Sequence, residues 1–221
     1  MTHKITRLLL AGGLAILGGC EVPAIIAQAF EDTTIEPVFV PANQRTVIFV
    51  DDPAQRLPSP QLAGIIAGRI GHQLKSHAVI TDFVQPNEID RVRLEHTDFP
   101  KWSINRVARE VGARQALYVL VEGSTLTDTQ HMYRPSMTLR VKIVAAGTTD
   151  NPRGRRLFPQ DEKLGWRVRT AMFPQARGDR GAGADLDPIM ARRLAERAGE
   201  DVAKLFHAHN PPEPGSGFEG R

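Results

Sequence analysis

The heptapeptide Ala116–Glu122 reads Ala-Leu-Tyr-Val-Leu-Val-Glu and is apolar on both faces that a β-strand would present. Such a strand is stable where helices cover a sheet on both sides, so it predicts the centre of an α/β sheet. The periods on either side agree. Arg45–Val50 is a short β-branched run closed by Asp51-Asp52-Pro53, and Val79–Val84 is a second strand. Between them Ser59-Pro60 opens a helix with Leu62, Ile65, Ile66, Ile70 and Leu74 on one face. Ser103 caps another, striped by Ile104, Val107, Ala108 and Val111 and stopped by Gly112.

Beyond Glu122 the period becomes two. Met137, Leu139, Val141 and Ile143 alternate with Thr138, Arg140 and Lys142, and Leu164, Trp166, Val168 and Met172 alternate with Arg167 and Arg169. A last helix starts at Asp187-Pro188 and runs to about His207. Its wet side carries Arg192–Glu196, Arg197–Asp201 and Glu200–Lys204 four residues apart. The order β-α-β-α-β-β-β-α predicts an α/β domain: a mixed sheet of about five strands with helices packed on it. Strands joined by helices should run parallel with right-handed crossovers, and the last three should form an antiparallel meander.

Ahead of this domain, Lys4 and Arg7 precede a short apolar stretch, Leu8–Leu17, that ends in Gly18-Gly19-Cys20. The pattern looks like a bacterial lipoprotein signal. The apolar stretch is too short to span a bilayer as a mature helix, small residues admit the peptidase, and the Cys20 thiol accepts the lipid. Residues 1–19 are then a signal peptide, 20–44 a lipidated tether, 45–207 the domain and 208–221 a disordered tail. Cleavage removes Lys4 and Arg7 and no acid. Of 28 Lys+Arg, 26 remain against 25 Asp+Glu, and the net charge falls from +3 to +1. No global argument for nucleic-acid binding survives. Cys20 is the chain's one cysteine, so the mature protein holds together without a disulfide.

The run Val111-Gly112-Ala113-Arg114-Gln115-Ala116-Leu117-Tyr118-Val119-Leu120-Val121-Glu122-Gly123 is similar to envelope lipoproteins of the curli-secretion (CsgG) type, to the penicillin-binding-protein activator LpoB and to the N-terminal domain of TolB. The shared pattern is a helix ending in Gly-Ala, a hydrophobic strand ending in glycine, a long alternating strand and a closing helix. It spans residues 45–207. The segments Thr149–Lys163 and Phe173–Ala184 are longer than that pattern, and no pore-forming segment is evident. The resemblance implies a non-enzymatic envelope domain and transfers no catalytic residues.

Chemistry-bearing candidates are few. No G-x-S-x-G run is present, and seven scattered histidines show no zinc-ligand spacing. No cofactor or metal is expected. Asp51 and Asp52 at the end of a strand, joined by Asp128, could make a carboxylate site at a sheet's carboxyl edge, though turn formation before Pro53 explains the pair better. Gly64, Gly68 and Gly71 lie inside a helix and read as close-packing positions, with Gly64 and Gly68 the suited pair. Trp166 is expected in the core, and Trp102 either as a staple or as an exposed contact. Arg140, Lys142, Arg167 and Arg169 should share one sheet face at about 5 Å spacing. They are either an anionic contact surface or an ordinary solvated face offset by Glu122, Asp161 and Glu162.

The leading expectation is a lipid-anchored periplasmic binding or assembly domain of the cell envelope. Its membrane contact is through the lipid, its partner an envelope protein or anionic polymer, and self-association through sheet edges is compatible with the fold. Glu21 in place of aspartate after the cysteine favours the outer membrane. Two alternatives stand beside it: a hydrolase or metal-dependent enzyme using Asp51, Asp52 and Asp128, and a lipopolysaccharide-export lipoprotein binding lipid A through the four basic residues.

Overall fold

The computed structural model describes residues 34–126, 132–147, 154–172, 175–176 and 183–211. Cys20, Asp128, His131 and the 212–221 tail lie outside them. From Ile35 onward the chain forms one compact unit. In chain order it comprises β1 (Thr46–Asp51), α1 (Gln61–Ser76), β2 (Phe83–Val84), α2 (Pro86–Glu95), α3 (Ile104–Glu110), β3 (Gln115–Thr125), β4 (Met132–Tyr133), β5 (Ser136–Ala145), β6 (Arg156–Phe158), β7 (Trp166–Ala171), β8 (Gln175–Ala176) and α4 (Gly183–Ala203).

The main sheet has six strands in the order β2-β1-β3-β5-β6, with β7 also pairing β5. β1 runs parallel to β2 and to β3, and β5 is antiparallel to β3, β6 and β7. The mixed sheet and the switch to an antiparallel meander follow the sequence expectation. β4 and β8 form a separate two-stranded ladder.

Helices cover the two faces unequally. On one face α1 and α4 bury Ile66, Ile70, Leu74, Leu194, Ala198 and Val202 against Ile48, Leu117, Val119, Leu139, Val141 and Ile143. Each large side chain fully withdrawn from water there contributes about 1.5–3 kcal/mol. On the other face α2 and α3 bury Ile89, Val92, Val107 and Ala108 against Val47 and Ala116, at the beginnings of β1 and β3. The apolar-on-both-faces reading of Ala116–Glu122 thus holds for the first part of the strand. Tyr118, Leu120 and Glu122 further along are half-buried.

Several boundaries differ from the sequence reading. The packed unit begins at Ile35, inside the stretch read as tether. Ile35 and His209 exchange backbone bonds of 2.8 and 3.1 Å, and the Val38 and Phe39 amides donate to the Leu205 carbonyl. Phe39 stacks on Phe158 with ring centroids 5.3 Å apart. Pro60, not Ser59, is the N-cap of α1. In Val79–Val84 the strand keeps Phe83 and Val84 alone, because Ala78 at φ 54° turns the chain after α1. α4 starts at Gly183, ahead of Asp187-Pro188.

The glycines of α1 also sort differently. Gly68 has open space where a Cβ would stand, and Gly64 would make an ordinary 3.7 Å contact with Pro86. Gly71 is the close-packed one: a Cβ there would lie 2.4–2.5 Å from the Phe83 ring. On α4, Arg192–Glu196 (3.0 Å) and Arg197–Asp201 (3.4 Å) form as expected. Glu200 instead pairs with Arg69 of α1 and with Arg197, while Lys204 reaches Asp201 at 3.6 Å.

Candidate functional site

The partly uncovered sheet face carries the residues with chemistry. Strand register places them in two rows across the sheet. One row is Phe49, Tyr118, Lys142, and the next is Asp51, Leu120, Arg140, Arg167, with Arg169 opposite Thr138 beyond it. The rows are acidic at the β1 end and basic at the β7 end.

At the acidic end lies a cleft of about 1250 Å³ at the carboxyl end of β1, lined among others by Phe49, Asp51, Trp102, Asn105 and Tyr118. The chain leaves β1 for β2 on one side and returns to β3 on the other. This is the switch point where open α/β sheets form crevices. The Tyr118 hydroxyl donates to Asp51 Oδ2 at 2.7 Å. Burial, then the bond and charge of Asp51, push the Tyr118 phenol well above its ordinary range.

Asp51 and Asp52 both line this cleft but take different partners. Both Asp52 oxygens accept backbone amides, from Arg56 at 2.9 Å and Leu57 at 2.8 Å, which fixes the turn after β1. Asp52 is therefore a turn former. No histidine lines the cleft among the described residues, and no group of three metal-ligating side chains occurs among them.

At the basic end the four cations share a face but not a condition. Arg140 is 16% exposed. It donates to Glu122 at 2.5 Å and to the Gly165 carbonyl at 3.0 Å. Arg167, directly opposite, is 64% exposed and reaches the other Glu122 oxygen at 3.4 Å. Glu122 can serve both because it is the extra residue of a β-bulge between Val121 and Gly123, and a bulge re-aims a side chain. Lys142 is half-buried, its ammonium 5.9 Å from the Tyr118 ring centre. Burial, followed by the charges of Arg156 and Arg140, holds its pKa below the ordinary lysine value. Arg169 is exposed and makes no ion pair among the described residues. Of the two acids named with Glu122, Asp161 and Glu162, neither forms an ion pair with these cations among the described residues.

The two tryptophans fare differently: the core reading of Trp166 changes, and the staple alternative for Trp102 holds. Trp166 is partly exposed at the sheet margin, 5.7 Å from the Phe158 ring. Trp102 precedes the Ser103 cap of α3 and packs on the Val107 cluster, the staple position. The Arg106 guanidinium covers its ring at 3.9 Å. The spacing of His77, His207 and His209 along the chain gives no sign of a cluster. The structure brings them together: His77 and His207 stack at 3.8 Å, and His209 lies 5.9 Å from His207. They border a cavity of about 480 Å³ with Glu200 and Lys204.

No protein-family model matches the chain, and no curated protein matches it. Among solved structures it is similar to a PelC dodecamer subunit from Paraburkholderia phytofirmans, at 9% identity and a TM-score of 0.42, covering 78% of this chain and 96% of that one. It is similar to lipoprotein GNA1162 from Neisseria meningitidis, at 11% identity and a TM-score of 0.39, covering 69% and 98%. The LpoB C-terminal domain from Salmonella enterica gives 11% identity and a TM-score of 0.31, covering 67% and 93%.

Proposed function

We propose that the chain is a non-enzymatic, lipid-anchored domain of the cell envelope, held at the outer membrane through Cys20, that contacts an anionic envelope partner with the open face of its sheet. The observation that carries the contact surface is the Arg140–Glu122–Arg167 arrangement beside Arg169. Glu122 and Gly165 satisfy Arg140, which makes it a structural strut. Arg167 and Arg169 project beyond it, and Glu122, which Arg167 shares with Arg140, is the one carboxylate paired with these cations among the described residues, so the outer part of the face has a net positive field. A phosphate or carboxylate presented there meets two guanidiniums suited to bidentate contact. The non-enzymatic reading is supported at the acidic end, where Asp52 is committed to backbone amides and Asp51 to Tyr118.

The test is in-cell crosslinking of the lipidated chain, compared with Arg167→Glu/Arg169→Glu and with Cys20→Ala. The charge-reversed form should stay with the outer membrane and lose its partner crosslinks. The Cys20→Ala form should lose palmitate label and leave the membrane. Unchanged crosslinks after charge reversal overturn the sheet-face surface. Membrane retention without Cys20 overturns the anchor.

A further inference from the structure

We infer that the apolar corner around Trp166 is a second, non-covalent membrane contact, which seats the domain in the surface of the leaflet that holds its lipid. This rests on the anchored reading above and adds an orientation to it. Among the described residues the exposed large apolar side chains are Ile35, Val38, Val40, Leu94, Leu164, Trp166 and Ile189. Five of these seven belong to two short segments, 35–40 and 164–166. Phe158 joins the segments: its ring lies 5.3 Å from Phe39 and 5.7 Å from Trp166. Phe206 backs the same cluster from inside, 5.7 Å from Phe158.

Scattered exposed apolar residues are ordinary, but a patch on one corner marks a surface meant to be covered. Val40 is 66% and Leu164 65% exposed, while Phe39 and Trp166 of the same two segments both meet Phe158. The corner is apolar, with an indole at its margin. Tryptophan favours the headgroup level of a bilayer, where the ring is buried and the N–H stays wet.

The position of the chain's exit decides what covers the patch. The described chain enters at Thr34 and passes directly through Ile35, Val38 and Val40. Residues 21–34 separate the lipidated cysteine from this corner, 14 residues in all. Fourteen residues reach at most about 50 Å even when fully extended, so this corner, where the described chain begins, is the point at which the lipid tethers the domain. Exposed charges in or beside the two segments are of mixed sign: Glu36, Asp161, Glu162 and Lys163, with Arg167 next to Trp166 on the other face of the sheet. Apolar insertion then governs the contact, and it should be indifferent to lipid charge. That separates it from the Arg167 and Arg169 surface.

The experiment uses the full lipidated chain, purified from membranes and reconstituted in vesicles of phosphatidylcholine, with or without phosphatidylglycerol. A portion of the lipids is brominated near the top of the acyl chains to quench nearby indoles. With two tryptophans in the chain and one at the interface, emission should fall by up to about half, equally in both vesicle types. Trp166→Phe, which keeps an aromatic ring beside Phe158, should abolish the quenching. Val40→Ser/Leu164→Ser should reduce it while leaving circular dichroism and flotation unchanged. Protein that floats with vesicles but is not quenched overturns the membrane corner and leaves the anchor standing. Protein that does not float sinks the anchor reading itself. Quenching confined to anionic vesicles, or a detergent-solubilised dimer that shields Trp166, assigns the patch elsewhere and also overturns the proposal.

Discussion

Alanine at Gly71 and at Gly68, three residues apart on α1, should change stability in opposite directions. Replacing a helical glycine by alanine gains up to about 1 kcal/mol from the smaller loss of backbone entropy. At Gly68 nothing lies within 4 Å of the new methyl, so most of that gain should appear. At Gly71 the methyl would stand 2.4–2.5 Å from three atoms of the Phe83 ring, about 1 Å inside ordinary carbon–carbon contact. Phe83 is buried on β2 and packs edge-on against His72 at 5.1 Å, so it cannot swing into water. The helix must move away from the strand or the ring must leave its rotamer, at about 1–3 kcal/mol for an overpacked core. The net expectation is a loss of about 1–2 kcal/mol for Gly71→Ala and a gain of about 0.5–1 kcal/mol for Gly68→Ala. Urea unfolding followed by far-ultraviolet circular dichroism reads both midpoints. Thermal midpoints should separate by roughly 4–10 °C for a domain of this size. Equal shifts, or a stabilised Gly71→Ala, would refute the claim that α1 touches β2 through a glycine.

The two arginines that share Glu122 should give unequal double-mutant cycles. Arg140, largely buried with a second bond to Gly165, should couple to Glu122 by about 1–2 kcal/mol, and Arg167, mostly exposed, by under about 0.5 kcal/mol. Equal coupling energies from denaturant titration would contradict the strut assignment. His207 should make the protein weaker in acid. Burial, and then the charges of His77, His209 and Lys204, hold its pKa below the ordinary 6.5 against the pull of the Ala208 carbonyl. The unfolded chain therefore takes up a proton first, and stability is full above about 6.5 and declines as pH falls through the folded value. Glu200 and Lys204 border the same cavity. Thermal midpoints measured from about pH 7.5 down to 5.5 should fall less steeply for His207→Gln. An unchanged slope would show that the stacked histidines do not report on folding.

The parts of the fold that the sequence announced are those where a single period dominates. Met137–Ile143 and the Val168 strand alternate strictly, and the shared face of Arg140, Lys142, Arg167 and Arg169 follows from that once the strands pair, as they do. Gly112 ends α3 at φ +66°, as a glycine after a helical stripe should. α2 escaped notice because Pro86–Glu95 buries Ile89 and Val92 alone, too thin a stripe for periodicity to detect. Its signal was in the cap: Gln85 and Glu88 form a capping box with Pro86 at N1. β6 is three residues long, below the length at which alternation is visible. Trp166 alternates correctly with Val168, yet it stays partly exposed. Side-chain parity fixes the face of a sheet but not how far the covering helix extends.

By itself the sequence determined local periods, chain stops and chemical inventory: an α/β order, a single cysteine after an apolar stretch, and four cations of the same strand parity. These are properties of neighbours along the chain. The tertiary structure decided how those residues divide the work. Glu122 became the shared partner of two arginines through a bulge, because strand pairing across β3 and β5 has one residue too many on one side. Asp51 ends β1 beside Tyr118 of the paired strand, while Asp52, beyond the strand, is taken up by the amides of the following turn. Three histidines from two ends of the domain met where Ile35 and His209 bridge, and the exposed corner at Trp166 assembled from segments more than 120 residues apart in the numbering. Contacts of that separation carry no local signature, because they exist once the chain has closed on itself.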